Sequence, residues 1–173
     1  MPTPFTEKRA IRPTVVQRLL HRASVDGAIV ELNNLLARCG VREVRAADIG
    51  AIFLRHRVRP THLHPRHLER FYREYLLFCL ADRRLSDDEL ADLEHLREIL
   101  ALDALAVDAI HRNVARQVYL RSVAEVLADG SIDVQERAFL SRLREQLGVP
   151  ESIAENIEVM KERQYRNRNK DGR

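Results

Sequence analysis

The sequence predicts an all-α fold: a helical bundle of two pseudo-symmetric helix-hairpin repeats, with extra N-terminal helices. Three observations carry this reading. A turn occurs twice, as Ala81-Asp82-Arg83-Arg84-Leu85-Ser86-Asp87-Asp88-Glu89 and as Ala128-Asp129-Gly130-Ser131-Ile132-Asp133-Val134-Gln135-Glu136, at an offset of 47 residues. The same offset matches Leu93 to Leu140, Leu96 to Leu143, Leu100 to Leu147 and Ile110 to Ile157. A fixed period of this size marks stacked supersecondary units. Apolar residues recur at helical spacing along most of the chain. Finally, six Gly and six Pro in 173 residues are too few for a turn-dense β protein, while 45% hydrophobic residues suffice for a core.

Taken in order, residues 1–12 form an irregular lead-in. Pro13 suits a first helical turn, followed by an apolar face of Val15, Val16, Leu19 and Leu20. Ser24-Val25-Asp26-Gly27 interrupts the pattern, and Ile29, Leu32, Leu35 and Leu36 resume it as far as Cys39-Gly40, where Gly40 fits a left-handed cap. Asp26-Gly27-Ala28-Ile29 echoes Asp129-Gly130-Ser131-Ile132 and opens a reading as a degenerate third repeat with a five-residue deletion. A helix near 45–56 follows, then a proline-broken basic linker. Pro65 opens a helix that buries Leu68, Phe71, Tyr72, Tyr75, Phe78 and Cys79. Ser86 with Glu89 forms a capping box, so the next helix starts at Asp87. A long helix spans about Asp103 to Ala128. Asp133 with Glu136 repeats the cap, Gly130 suits a left-handed cap, and Gly148-Val149-Pro150 separates the last two helices. Residues 163–173 lack an apolar stripe. The expected division is a basic N-terminal helical region over 1–64 packed on the core, a repeat domain over 65–165, and a disordered basic tail over 166–173.

Net charge is +3, unevenly spread. Residues 1–76 carry 14 Lys/Arg against 7 Asp/Glu, and residues 77–158 carry 9 against 17. Such asymmetry fits either an anionic partner or a basic part facing an acidic one, within a chain or between copies. Cys39 and Cys79 have no metal-ligand spacing and read as buried apolar residues in a reducing compartment. The N-terminus has no apolar h-region and no apolar run reaches membrane-spanning length, so the sequence reads as cytoplasmic, without a membrane span.

Asp82, Asp88, Glu89, Asp129 and Glu136 of the repeat turns are candidate oxygen ligands for a divalent cation. An EF-hand is excluded, because Leu127 stands where that loop needs an oxygen. Helix capping and a favourable charge at helix N-termini account for most of these acids. His62-x-His64-x-Arg66-His67 has the spacing of a hydrolase metal motif, but Arg66 replaces its Asp, and the dense Arg around it suits a phosphate better than a cation. Arg55, Arg57, Arg59, Arg66, Arg70 and Arg73 form a candidate anion or nucleic-acid patch, set against a solvated face. The aromatics Phe71, Tyr72, Tyr75 and Phe78 read as core. Ser86 and Ser131 serve turns and have no catalytic partner, so the reading is of a non-enzymatic chain with no cofactor beyond the candidate cation.

The pattern Leu-Ala-Asp-(Gly)-x-[Ile/Leu]-Ser/Asp-x-x-Glu-x-x-x-Leu-x-x-Leu-x-x-x-Leu-Gly runs from Leu80 to Leu100 and again from Leu127 to Gly148. It resembles TerB-like domains of bacterial tellurite-resistance proteins over about residues 65–165. Similar helical units recur in a chloroplast inner-envelope translocon scaffold and beside exonuclease domains. The resemblance implies an all-α bundle with a stress-linked or assembly role, a protein partner or self-association, and a cation site at Asp82, Asp88, Glu89, Asp129 and Glu136. Arg83 in place of the turn Gly and Gln135 beside Glu136 depart from that family's pattern.

Overall fold

A computed structural model of the protein describes residues 3–10, 24–59, 63–82, 85–129 and 132–171, the side chains of 129 and 166–171 excepted. The described residues form seven α-helices and no strand: α1 Val25–Cys39, α2 Ala46–Arg55, α3 Arg66–Cys79, α4 Asp87–Ile99, α5 Ala104–Val126, α6 Val134–Leu147 and α7 Glu151–Asp171. Short 3₁₀ turns, Leu80–Asp82 and Leu127–Asp129, follow α3 and α5. The all-helical expectation holds. The helix expected after Pro13 and the caps at Gly130 and Ser131 lie outside the described residues.

The chain divides into two compact units. The first is Met1–Cys79 with Leu85–Asp108, and the second is Leu80–Arg84 with Ala109–Arg173. In the first, Ala28, Leu32 and Leu36 of α1 are fully buried, one turn apart on one face. Ser24 caps α1 by accepting a hydrogen bond from the Gly27 amide at 3.3 Å. Ser24 is therefore the N-cap, and Val25, Asp26 and Gly27 form the first turn of α1. Gly27 sits where a Cβ would lie 2.6 Å from Ser24 Oγ and 2.8 Å from His56 Cε1, so α1 and α2 approach closely there. Gly40 has a positive φ of 77° but a ψ of 167°, so it ends α1 in an extended conformation and not the expected left-handed helical one.

Helix α3 packs on α4, α1 on α2, and α2 on α4. Phe71, Tyr72, Tyr75, Leu76 and Cys79 of α3 are buried, and Phe78 is half-buried. The lead-in joins this core. Phe5 is buried, edge-on to Phe71 at 5.8 Å and stacked on Tyr75 at 6.2 Å between ring centroids. Asn33 and Asn34 of α1 tie the lead-in down through Thr6 O (2.7 Å), Lys8 O (2.8 Å) and the Lys8 amide (2.7 Å). Cys79 is buried as expected. Cys39 is exposed, because it lies in the last turn of α1 off the buried face.

The second unit has its own core of Tyr119, Val123, Leu127, Leu140, Leu143, Val149, Ala154 and Ile157. Gly148 (φ 64°, ψ 28°) ends α6, with the Val149 amide donating to Arg144 O at 3.0 Å. The same wrap ends two helices of the first unit without glycine. Arg57 (φ 56°) ends α2, with Val58 N to Phe53 O at 2.8 Å, and Ala101 (φ 51°) ends α4, with Leu102 N to Arg97 O at 3.0 Å. Helix α7 continues to Asp171, so residues 166–171, expected in a disordered tail, are helical. Once the nucleus has formed, each added residue contributes one backbone hydrogen bond, and Arg166, Arg168 and Lys170 are good helix formers.

Two glycines make opposite predictions. A Cβ at Gly50, mid-way along α2, would meet nothing within 4 Å. Gly50→Ala is expected to stabilise the protein by about 0.5–1 kcal/mol in urea unfolding. Gly27→Ala gains the same helix propensity but must displace the His56 ring, and is expected to destabilise the protein by about 1 kcal/mol. Equal and positive effects at both sites would show that the α1–α2 approach is not tight.

Candidate functional site

The repeated turns are helix caps in the structure. Glu89 Oε2 accepts from the Ser86 amide at 2.9 Å and from Ser86 Oγ at 2.7 Å, while the Glu89 amide donates back to Ser86 Oγ. At the second turn Glu136 Oε2 accepts from the Asp133 amide at 2.8 Å, and the Glu136 amide donates to Asp133 Oδ1 at 2.8 Å. Each box satisfies orphan amides of its helix. Asp88 is ion-paired to Arg42 at 3.0 Å. Asp82 and Asp129 end the two 3₁₀ turns, and Asp82 is exposed. Among the described residues no three His, Cys, Asp or Glu side chains gather as a metal site. His62 lies outside the described residues. His64 and His67 approach edge-to-face at 6.3 Å, and His67 Nδ1 lies 3.1 Å from His64 O.

The six arginines of the anion patch are all exposed. Arg55 pairs with Glu31 at 2.9 Å, and Arg70 with Glu74 at 2.7 Å one turn along α3. Arg57 supplies the left-handed residue that ends α2, so its backbone is structural. Arg59, Arg66 and Arg73 lie on either side of the undescribed residues 60–62 or on α3.

The most constrained polar group is one that the turn pattern does not mark. Asp92, on α4, is only 5% exposed. Its Oδ1 accepts from Arg42 Nε, and its Oδ2 from the Tyr75 hydroxyl at 2.8 Å. Arg42, in the loop between α1 and α2, also donates through Nη2 to Asp88 O at 3.1 Å and to Asp88 Oδ1 at 3.0 Å. Its hydrogen bonds to Asp92 and then Asp88 raise the guanidinium pKa further. Burial, then the bond to Asp92, pushes the Tyr75 hydroxyl well above its ordinary value. Burial likewise pushes Tyr72 up to about 12. One signal was available in the sequence: Asp92 lies four residues before Leu96, on the apolar stripe, where a lone carboxylate demands a partner. In the second unit Tyr119 donates to Glu158 Oε1 at 2.5 Å, and burial raises its pKa in the same direction.

A groove of about 220 Å³ lies between α1 and α2, lined by Glu31, Leu35, Arg38, Asp48, Ala51, Ile52 and Arg55. Asp48 Oδ2 accepts from the Arg45 amide at 2.9 Å, which closes the N-terminus of α2. Among the described residues no helix is long and apolar enough to cross a membrane.

Capped helices and polar groups spent on packing define an α-helical module. A family model described as "Tic110: Chloroplast envelope transporter" matches residues 42–168, and the chain belongs to that family. It is 30% identical over 92 residues to "Protein TIC110, chloroplastic" of Pisum sativum, a stretch covering 51% of this chain and 9% of that protein. No solved structure matches. The TerB-like resemblance is thereby corrected, and with it the tellurite-resistance and stress-response setting it carried; the cytoplasmic reading drawn from the N-terminus and the apolar runs is corrected too, because the matched family is a chloroplast envelope one. The pattern misled because it encodes helix capping, which any chain with helices started in this way shares.

Two measurements check the buried polar groups. Tyr75→Phe leaves one Asp92 oxygen without its donor and is expected to cost about 1–2 kcal/mol. In a double-mutant cycle with Asp92→Asn, Tyr75→Phe should show a coupling of about 0.5 kcal/mol or more, and a coupling near zero would contradict the hydrogen bond. The raised tyrosines bind protons in the folded state that the unfolded chain releases above about pH 10. Their contribution is therefore intact below pH 10 and lost as pH rises towards about 12, the value for Tyr72. Thermal melts should hold level to about pH 10 and fall steeply above it.

Proposed function

We propose that this chain is a non-enzymatic helical docking module of an envelope transport assembly, working by binding other proteins. The observation that carries this reading is family membership over residues 42–168. The use of the interior polar groups supports it. Asp92, Tyr75 and Arg42 are committed to one another, and Tyr119 to Glu158, which is the pattern of a rigid platform. The lack of a membrane-crossing helix among the described residues suits a part that lies beside a membrane and not through it.

We also read α3–α4 and α5–α6 as two hairpins from one duplicated unit. In each, a long helix ends in a 3₁₀ turn of sequence Leu-Ala-Asp, and the next helix begins with a capping box. The turn acids then belong to the architecture of the hairpin.

The test is in-cell cross-linking followed by membrane fractionation, with depletion of the chain as a second arm. Cross-links to transport components in the envelope fraction, together with slower uptake of a reporter cargo on depletion, are the expected outcome. Recovery away from any membrane, with transport unchanged, would overturn the proposal.

A further inference from the structure

The lead-in is held to the first unit in the way a bound peptide is held. Residues 3–10 have no helix or strand of their own, and residues 6–10 are exposed. Their bonds to α1 run through main-chain atoms. Asn34 accepts from the Lys8 amide at 2.7 Å and donates to Lys8 O at 2.8 Å. Taking both the N–H and the C=O of one residue is how a neighbouring strand pairs, and it selects an extended segment. Asn33, only 3% exposed, donates to Thr6 O at 2.7 Å. The side chain that anchors the segment is Phe5, buried edge-on to Phe71 at 5.8 Å and stacked on Tyr75 at 6.2 Å. Glu7 meets Arg38 at 3.8 Å with both side chains more than half exposed, a pair worth little.

The face that receives these bonds does not depend on the lead-in for its shape. The Tyr75 hydroxyl donates to Asp92 at 2.8 Å, so the ring under Phe5 is fixed from the other side. The two adjacent asparagines lie in the interior of α1, where Asn is a poor helix former. What supports them is an amide and two carbonyls of an extended chain. The lead-in and α1 precede residues 42–168, so the family match does not cover this pairing.

We propose that this face of α1 and α3 recognises an extended segment of a partner protein carrying one phenylalanine, and that the lead-in is its internal competitor. The partner's phenylalanine takes the place of Phe5, and Asn33 and Asn34 hold the main chain beside it. Recognition of this kind tolerates many sequences around the anchor, because every non-proline residue offers the same N–H and C=O. The inference rests on the docking role above and names the segment that docks. A partner gains the face only as the lead-in lifts, so its apparent affinity is the intrinsic one reduced by the fraction of lifted chains.

The probe is a fluorescein-labelled peptide of residues 3–10 with blocked ends, added to the full chain. Phe5→Ala removes the competitor's anchor and leaves the face intact. It should bind the peptide at least about tenfold more tightly than the wild type in anisotropy. Lys8→Pro removes the amide that Asn34 accepts without touching the core, and should shift binding the same way if Phe5→Ala melts early. A peptide with alanine everywhere except the phenylalanine should still bind, and one with alanine in place of the phenylalanine should not. Asn34→Ala, added to Phe5→Ala, should weaken binding by about tenfold. Equal binding to the wild type, Phe5→Ala and Lys8→Pro would overturn the proposal. So would binding without the phenylalanine, a requirement for the other side chains, undiminished binding after Asn34→Ala, or no binding at millimolar peptide. A wild-type dimer in sedimentation that Phe5→Ala disperses would assign the face to lead-ins exchanged between copies and overturn it as well. If the peptides fail while the chain still cross-links to transport components in cells, the docking role stands and the assignment of this face alone falls.

Discussion

Taking a carboxylate out of water costs several kcal/mol unless donors replace the water, and the first unit is arranged around one such replacement. Asp92 on α4 can be buried only because Tyr75 reaches it from α3 and Arg42 from the loop after α1. The donors come from 17 and 50 residues away in sequence, so the bond forms only when three parts of the chain are correctly placed. Arg42 then holds Asp88, in the first turn of the same helix, which fixes where α4 begins relative to the α1–α2 loop. On the neighbouring turn His95 meets Val44 O at 2.9 Å and ties the loop's far end to α4. A hydrophobic face alone tolerates sliding, whereas two directed bonds to one carboxylate do not.

The same placement resolves the uneven charge. Along the sequence the first 76 residues look strongly basic and the next 82 strongly acidic. Met1–Cys79 with Leu85–Asp108 carries 15 Lys/Arg and 15 Asp/Glu, so the basic segment and the acids of α4 fold into one balanced unit. The remainder carries 14 against 11, which accounts for the net +3. Charge summed along a chain points to a partner only when the fold leaves the charges apart. Here Arg42–Asp88, Arg42–Asp92 and Arg55–Glu31 spend part of the apparent excess internally.

What could be read from the sequence follows from the range of each interaction. Helix periods, the capping boxes Ser86/Glu89 and Asp133/Glu136, and the stop at Gly148 are local, and the structure has them where the spacing puts them. Ser24 marks a helix boundary, but Asp26-Gly27 belongs to the first turn of α1, because Asp-Gly occurs in turns and in first helical turns alike. Phe5 was missed because a lone aromatic in an irregular lead-in has no period, and its burial depends on rings 66 and 70 residues further on. Asp92 carried a signal, a carboxylate on an apolar stripe, but its partners could not be named without the fold.

The family was misassigned for a related reason. A pattern built on Ser/Asp-x-x-Glu and leucines at helical spacing records how a helix starts and which face it buries, and unrelated chains converge on both. The residues that make this unit particular are the ones off that pattern: Arg42, Tyr75 and Asp92 in the interior, and Gly50 on the surface. Asp92 stands at a stripe position where an apolar residue would pack without donors. Gly50 stands where Ala would serve the isolated helix better. A residue that weakens its own element must be supported elsewhere. For Asp92 that support is within the unit, in Tyr75 and Arg42. For Gly50 no described residue supplies it, since a Cβ there would meet nothing within 4 Å.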